Sequence, residues 1–274
     1  YLGWERKRGM INQFNEYLLK NIENPFRENT IEKYQKENKV PKIKYIITLD
    51  ADTNLILDSG LELIGAMAHI LNKPILNEEK NCVIDGYGIM QPRVGIDLLS
   101  CRKSLFTVLF AGNGGTDSYT NAIFDVYQDN FGEGIFAGKG IYDLKIFYDV
   151  MKDKIPEKVV LSHDLLEGCY VRSALVTDVQ LMDGYPIGYN SYKSRQHRWI
   201  RGDFQIARWL KGKVKDINGN IIKNPLNILS KYKILDNMIR ALVEPLIIVS
   251  LGLLTIISLT YHVKIWSIVL VLII

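Results

Sequence analysis

Hydrophobic positions along this chain change their period as the sequence proceeds. Through about residue 210, short β-branched and aromatic runs alternate with stretches whose apolar side chains recur at helical spacing. The runs at 44–49, 81–84 and 159–161 predict strands, 175–181 predicts another, and 8–21 and 59–71 predict helices. Strands interleaved with helices predict an α/β sheet domain.

Near the end of the chain the pattern turns continuously apolar. Residues 245–261 carry no charge and, with Ala241 to Val243 ahead of them, approach the roughly 20 residues that span a bilayer. A transmembrane helix is expected there, with a buried core helix as the alternative. After the break His262-Val263-Lys264 a second apolar stretch, 265–274, predicts the other arm of a helical hairpin, truncated by the chain end. Upstream, 231–242 places basic residues among helically spaced apolar ones, as an interfacial helix would, and an ordinary amphipathic core helix reads equally well. The turn signal Asp216-Ile217-Asn218-Gly219-Asn220 marks the boundary. Three regions follow: a sheet domain over 1–215, a linker and interfacial helix over 216–242, and a membrane hairpin over 243–274.

Composition narrows the class. With 274 residues and 47% hydrophobic content the chain can build a substantial core. A net charge of +4 and a pI near 8.7 are too mild to argue for nucleic acid, and they suit a juxtamembrane, cytoplasmic location. Cys82, Cys101 and Cys169 show no CxxC spacing, so neither a disulfide framework nor a zinc site is indicated. The chain begins at Tyr1 without a signal peptide and stops inside an apolar run, which predicts a piece of a larger multidomain chain.

Four segments carry candidate chemistry. Asp50 and Asp52 leave the carboxyl end of an apolar strand, where open α/β sheets bind ligands, and period-2 alternation would turn both carboxylates to one side. Such a pair suits a divalent ion bridging two phosphates, because Mg²⁺ often takes only one or two carboxylates. The same Asp-x-Asp-x-Thr pattern also resembles the first motif of haloacid-dehalogenase-like phosphatases, in which Asp50 would be a nucleophile. The run from Phe131 to Gly140, with Gly138 and Lys139, is too glycine-rich for an element interior, and reads as a loop beneath a growing sugar chain or as a structural turn. His163-Asp164 follows the run 159–161, with Glu167 three residues on; Asp164 is a candidate general base, and a helix cap is the plainer alternative. Finally, Arg195-Gln196-His197-Arg198-Trp199 offers guanidinium groups for a diphosphate and an indole face for a sugar ring. A cationic helix face with Trp199 in the core is the structural alternative.

Together these segments resemble the glycosyltransferase domain of cyclic β-1,2-glucan synthases, relatives of cellulose and hyaluronan synthases. The likeness runs from Gly3-Trp4-Glu5-Arg6-Lys7-Arg8-Gly9 through Gly86-Tyr87-Gly88 and Asp125-Val126-Tyr127-Gln128-Asp129 to 195–205, covering roughly 1–211. It implies a GT-A type mixed sheet flanked by helices and followed by interfacial and transmembrane helices. It also implies a UDP-glucose donor, Mg²⁺ or Mn²⁺, a growing glucan acceptor and a cytoplasmic catalytic domain at the bacterial inner membrane. By position, Asp50 and Asp52 match the metal and diphosphate motif, Asp164 the base, and Arg195, Gln196, Arg198 and Trp199 the Arg-Trp element. His163 stands where many processive synthases have an acidic residue, and the strand that binds uridine is expected upstream of Tyr1. A degenerate, non-enzymatic sugar-nucleotide sensor stays open beside this reading.

Overall fold

The computed structural model describes residues 4–37, 42–79, 81–111 and 125–261. The turn signal Asn113-Gly114-Gly115 and the expected second hairpin arm, 265–274, lie outside the described residues.

A five-stranded mixed sheet forms the centre. Its strands are β1 (Tyr45–Thr48), β2 (Thr53–Leu55), β5 (Ile89–Ile96), β6 (Gly140–Asp143) and β7 (Ser173–Asp183), in the order β1-β6-β5-β7-β2. Only β5 and β7 pair in parallel; the other neighbours are antiparallel. Two small hairpins sit apart from it, β3 (Ile75–Asn77) with β4 (Cys82–Asp85), and β8 (Lys213–Lys215) with β9 (Ile221–Lys223). The second hairpin turns on the predicted Asp216–Asn220 signal, with Asn220 N–H donating to Asp216 Oδ1 at 2.8 Å.

Alternation along the central strands sorts the core onto both faces of the sheet. Ile89 and Tyr142 point into the larger cluster, which includes Phe147, Leu166, Tyr170 and Trp209, while their neighbours Met90 and Ile141 point into a smaller one with Leu63 and Met67. The helices follow from this division. They are α1 (Arg6–Leu18), α2 (Thr30–Lys36), α3 (Ser59–Ala68), α4 (Leu105–Phe110), α5 (Val126–Phe131), α6 (Leu144–Met151), α7 (Asp164–Val171), α8 (Tyr189–Ile206) and α9 (Ile228–Tyr261). Helix α3 covers the smaller cluster, and α6 and α7 pack into the larger one.

Most expected elements are present within a few residues of their predicted bounds. The run 159–161 is an exception: the chain bends at Val159 and Leu161, Val160 is buried between them, and the run joins no sheet. Its backbone is satisfied by a side chain instead, with Leu161 N–H donating to Gln205 Oε1 of α8 at 2.8 Å. The expected interfacial and membrane segments are consecutive stretches of α9, which runs through Pro245 without a break. Lys233 and Ile234 at its root are buried in the domain, whereas 242–253 is exposed and almost wholly apolar. Ile228–Thr260 is long and apolar enough to cross a membrane, and none of its most apolar stretch is buried. An exposed apolar surface of this size is not sustained in water.

Candidate active site

The chain between β1 and β2 sets the site. Strand β1 ends at Thr48, and Asp50 to Thr53 form a tight turn closed by Thr53 N–H donating to Asp50 O at 3.0 Å. The turn cancels the strand alternation, so the two carboxylates point to different partners. Asp50 Oδ1 lies 2.5 Å from Lys7 Nζ of α1, and Asp50 Oδ2 lies 3.3 Å from Lys139 Nζ. Asp52 Oδ2 instead meets Arg195 Nη2 of α8 at 3.2 Å.

Burial alone would raise the Asp50 carboxyl, but the neighbouring ammonium groups of Lys7 and Lys139 outweigh it and hold the group below its ordinary range. Burial would likewise lower Lys139, and Asp183 and Asp50 together hold it above its ordinary value. Lys139 is salt-bridged to Asp183, whose other oxygen accepts from Thr53 Oγ1 at 2.6 Å. Next to Asp183, Gly184 N–H donates to Asp52 O at 2.9 Å. Asp50, Asp52, Lys139 and Arg195 therefore belong to one network, joined by two residues that sequence reasoning missed, Lys7 and Asp183.

The glycine-rich run is a loop over 132–139, as expected, and it is pinned along its length. Gly134 N–H donates to Ser173 O at 2.7 Å, Ala137 N–H to Gln91 Oε1 at 2.9 Å, and Gly138 O accepts from Lys7 Nζ at 2.8 Å. Gly138 has φ +88°, and a Cβ there would stand 2.7 Å from Asp164 Oδ1. Only glycine meets both conditions. Gly138 thus touches both the carboxylate of Asp164 and, through its carbonyl, the Lys7–Asp50 pair.

Asp164 is the first residue of α7, with His163 at the cap position. Capping by Asp164 is therefore not what the fold uses it for; its carboxylate is partly exposed at the helix N-terminus, where the dipole favours negative charge. His163 is buried and turned toward Glu167, with Nδ1 2.7 Å from Oε1, and it lies 3.7 Å from Asp164 Oδ1. Burial would lower the imidazole, yet the carboxylates of Glu167 and Asp164 push it up to about 9. The raised value favours the protonated form beside the two carboxylates. His163, Asp164 and Glu167 also place ligand-type atoms within 4.8 Å of one another, the one such group of three among the described residues. The 2.7 Å contact between His163 Nδ1 and Glu167 Oε1 holds two members of the group together.

Helix α8 supports both halves of the site. Arg195 stacks on Trp199, its guanidinium carbon 5.7 Å from the ring centroid, and so faces Asp52 along an organised edge. Seven residues further along, Gly202 packs on Ser162 with no room for a Cβ, and Gln205 holds Leu161. Gln196 bonds within the helix to Tyr192 Oη at 3.1 Å, while His197 and Arg198 are exposed. Trp199 is half-buried, and the tryptophan that fills the core is Trp209, which donates to Tyr170 Oη at 3.0 Å.

The donor set fits a hard divalent cation through Asp52 more readily than through Asp50. Both Asp50 oxygens already face ammonium groups, whereas the Asp52 carboxylate is 46% exposed and accepts from Arg195 by one oxygen. Mg²⁺ accepts such a site because it keeps several waters and needs few protein oxygens.

No protein-family model matches this chain. It is similar to cyclic beta-(1,2)-glucan synthase NdvB of Rhizobium meliloti (strain 1021), with 40% identity over 245 residues. The match takes in 89% of this chain and 8% of that much longer protein. Identity at this level along nearly the whole chain makes it a relative of the cyclic β-(1,2)-glucan synthase.

Proposed function

We propose that this domain is a processive, inverting glucosyltransferase that extends a β-1,2-glucan from UDP-glucose on the cytoplasmic face of the bacterial inner membrane. The observation that carries the reading is the path from Arg195 and Asp52, through Gly184 and its chain neighbour Asp183, then Lys139, Asp50 and Lys7, to Gly138 and Asp164. Groups suited to a diphosphate and a carboxylate suited to a hydroxyl proton are thereby joined in one network.

In this reading the 2-hydroxyl of the terminal glucose attacks the anomeric carbon of the donor. The new glycosidic bond forms as the bond to UDP breaks, and Asp164 takes the hydroxyl proton. Arg195, prepositioned on Trp199, meets the charge that gathers on the departing diphosphate; losing one such donor typically costs about 2.7–4 kcal/mol of transition-state stabilisation. Asp52 would hold Mg²⁺ or Mn²⁺, with Asp50 keeping Lys7 and Lys139 in place. When bound, the ion supplies further countercharge for the leaving group. His163 and Glu167 steady the start of α7, so that Asp164 keeps its orientation. Trp199 offers the acceptor ring a flat face.

The apolar length of α9 supports placement at a lipid bilayer. A haloacid-dehalogenase-like phosphatase would leave the Arg195–Asp52 pair and this helix without a task. The test is to incubate membranes bearing the full-length protein with labelled UDP-glucose and to size the neutral products. Labelled cyclic glucan linked through the 2-position is expected. Absence of any transferred glucose would overturn the reading, and glucan of another linkage would reassign the product.

A further inference from the structure

The segment Trp4–Gly9 enters the steps above only through the contacts of Lys7, and the fold gives it a defined task. Glu5 and Arg6 are consecutive non-glycine residues with left-handed backbone, φ 49° and 53°, at the start of α1. Strained backbone of this kind persists only where its surroundings over-determine it. Here the Glu5 carboxylate accepts from Lys158 N–H at 2.6 Å and from Arg8 Nη2 at 2.5 Å. Arg8 also donates to Ile155 O at 2.9 Å, and Trp4 Nε1 to Glu157 Oε1 at 3.0 Å. The start of α1 is thereby fastened to 155–158, just ahead of the segment that leads to His163 and Asp164.

The fastening aims Lys7. Its ammonium lies between Asp50 Oδ1 at 2.5 Å and Gly138 O at 2.8 Å, in a partly buried position where charge-assisted hydrogen bonds are strong. One of these partners sits at the end of β1, on the side of the site assigned to the donor. The other is the backbone of the residue that backs Asp164.

We propose that Lys7 is a positioning residue for glucose transfer: it is the strut that fixes the donor-side carboxylate Asp50 against the loop residue Gly138, and through Gly138 sets where Asp164 stands. The inference rests on the transferase reading above. Removing the ammonium takes a partner from the Gly138 carbonyl and one of two cations from Asp50, so the loop and α7 lose their common reference. A displacement of about 1 Å at such a site costs on the order of 10²-fold in rate.

The experiment compares wild type, Lys7→Met and Lys7→Arg as full-length protein in membranes. It measures kcat and KM for UDP-glucose, UDP affinity and the unfolding temperature. Lys7→Met is expected to lower kcat by about 10- to 100-fold while UDP affinity stays within about threefold, and Lys7→Arg to recover part of the loss. Wild type that transfers normally beside a Lys7→Met protein within about twofold of it would overturn the role of Lys7 and leave the transferase reading standing. Loss of UDP affinity in step with kcat, or a lowered unfolding temperature with no gain from Lys7→Arg, would also overturn it, since Lys7 would then be structural only. Wild type without transfer would overturn the transferase reading itself, and the role of Lys7 with it.

Discussion

The carboxylate of Asp164 fills the space that a side chain at Gly138 would occupy: a Cβ there would stand 2.7 Å from Oδ1. Gly138→Ala therefore pushes on the carboxylate and also forces φ +88° onto a residue that resists it by about 1–2 kcal/mol. Glucose transfer should fall by on the order of 10²-fold while UDP binding changes little, as steady-state kinetics beside a nucleotide-binding titration would show.

Asp164→Asn keeps the shape of the side chain and removes its basicity. Transfer should be abolished with UDP affinity nearly intact. A variant that retains substantial transfer would take Asp164 out of the proton-transfer role.

The two acids at the end of β1 should respond differently to truncation. Asp52→Ala is expected to weaken UDP binding in the presence of Mg²⁺ or Mn²⁺ and to leave binding in excess chelator unchanged. Asp50→Ala removes an ion-pair partner from both Lys7 and Lys139 and should lower stability by about 1–2 kcal/mol, allowing for solvent screening of a part-exposed carboxylate. Thermal unfolding and nucleotide titration of the two variants separate these effects.

The buried His163–Glu167 pair predicts a pH dependence of stability. The folded-state pKa of His163, about 9, lies above the ordinary histidine value of about 6.5. Its contribution is therefore fully present below about pH 6.5 and is lost as pH rises through about 9. Unfolding temperatures should decline across that window in the wild type, and Glu167→Gln should flatten the decline. An equally steep decline in the variant would assign the titration to another group.

Much of the fold was readable because it follows from local pattern. The β-branched run of β1, the apolar face of α3 and the glycine density of 132–139 each constrain the backbone without help from distant residues. The Asp50, Asp164 and Arg195 segments were likewise singled out as candidates by their residue types. Tertiary contacts decided the rest. Residues 159–161 have strand composition, yet Gln205 from α8 takes the Leu161 N–H, and no ladder forms. The turn at Asp50 to Thr53 divides a pair of acids that alternation would have kept together. Lys7 and Asp183 lie far in sequence from the motifs they join, and a Lys in a charged cluster or an Asp at a strand end has no local mark of that role. Arg195 could be told from Arg198 only by its stacking on Trp199 and its reach to Asp52.

Lys233, at the root of α9, donates to Gly134 O at 2.9 Å and meets Glu133 at 3.3 Å, so the far end of the loop bearing Gly138 is tethered to the longest helix among the described residues. At 34 residues that helix is a rod of about 50 Å. Loop and rod share this mooring, so a change in the angle at which α9 stands is carried by Lys233 into the backbone on which Gly138 sits.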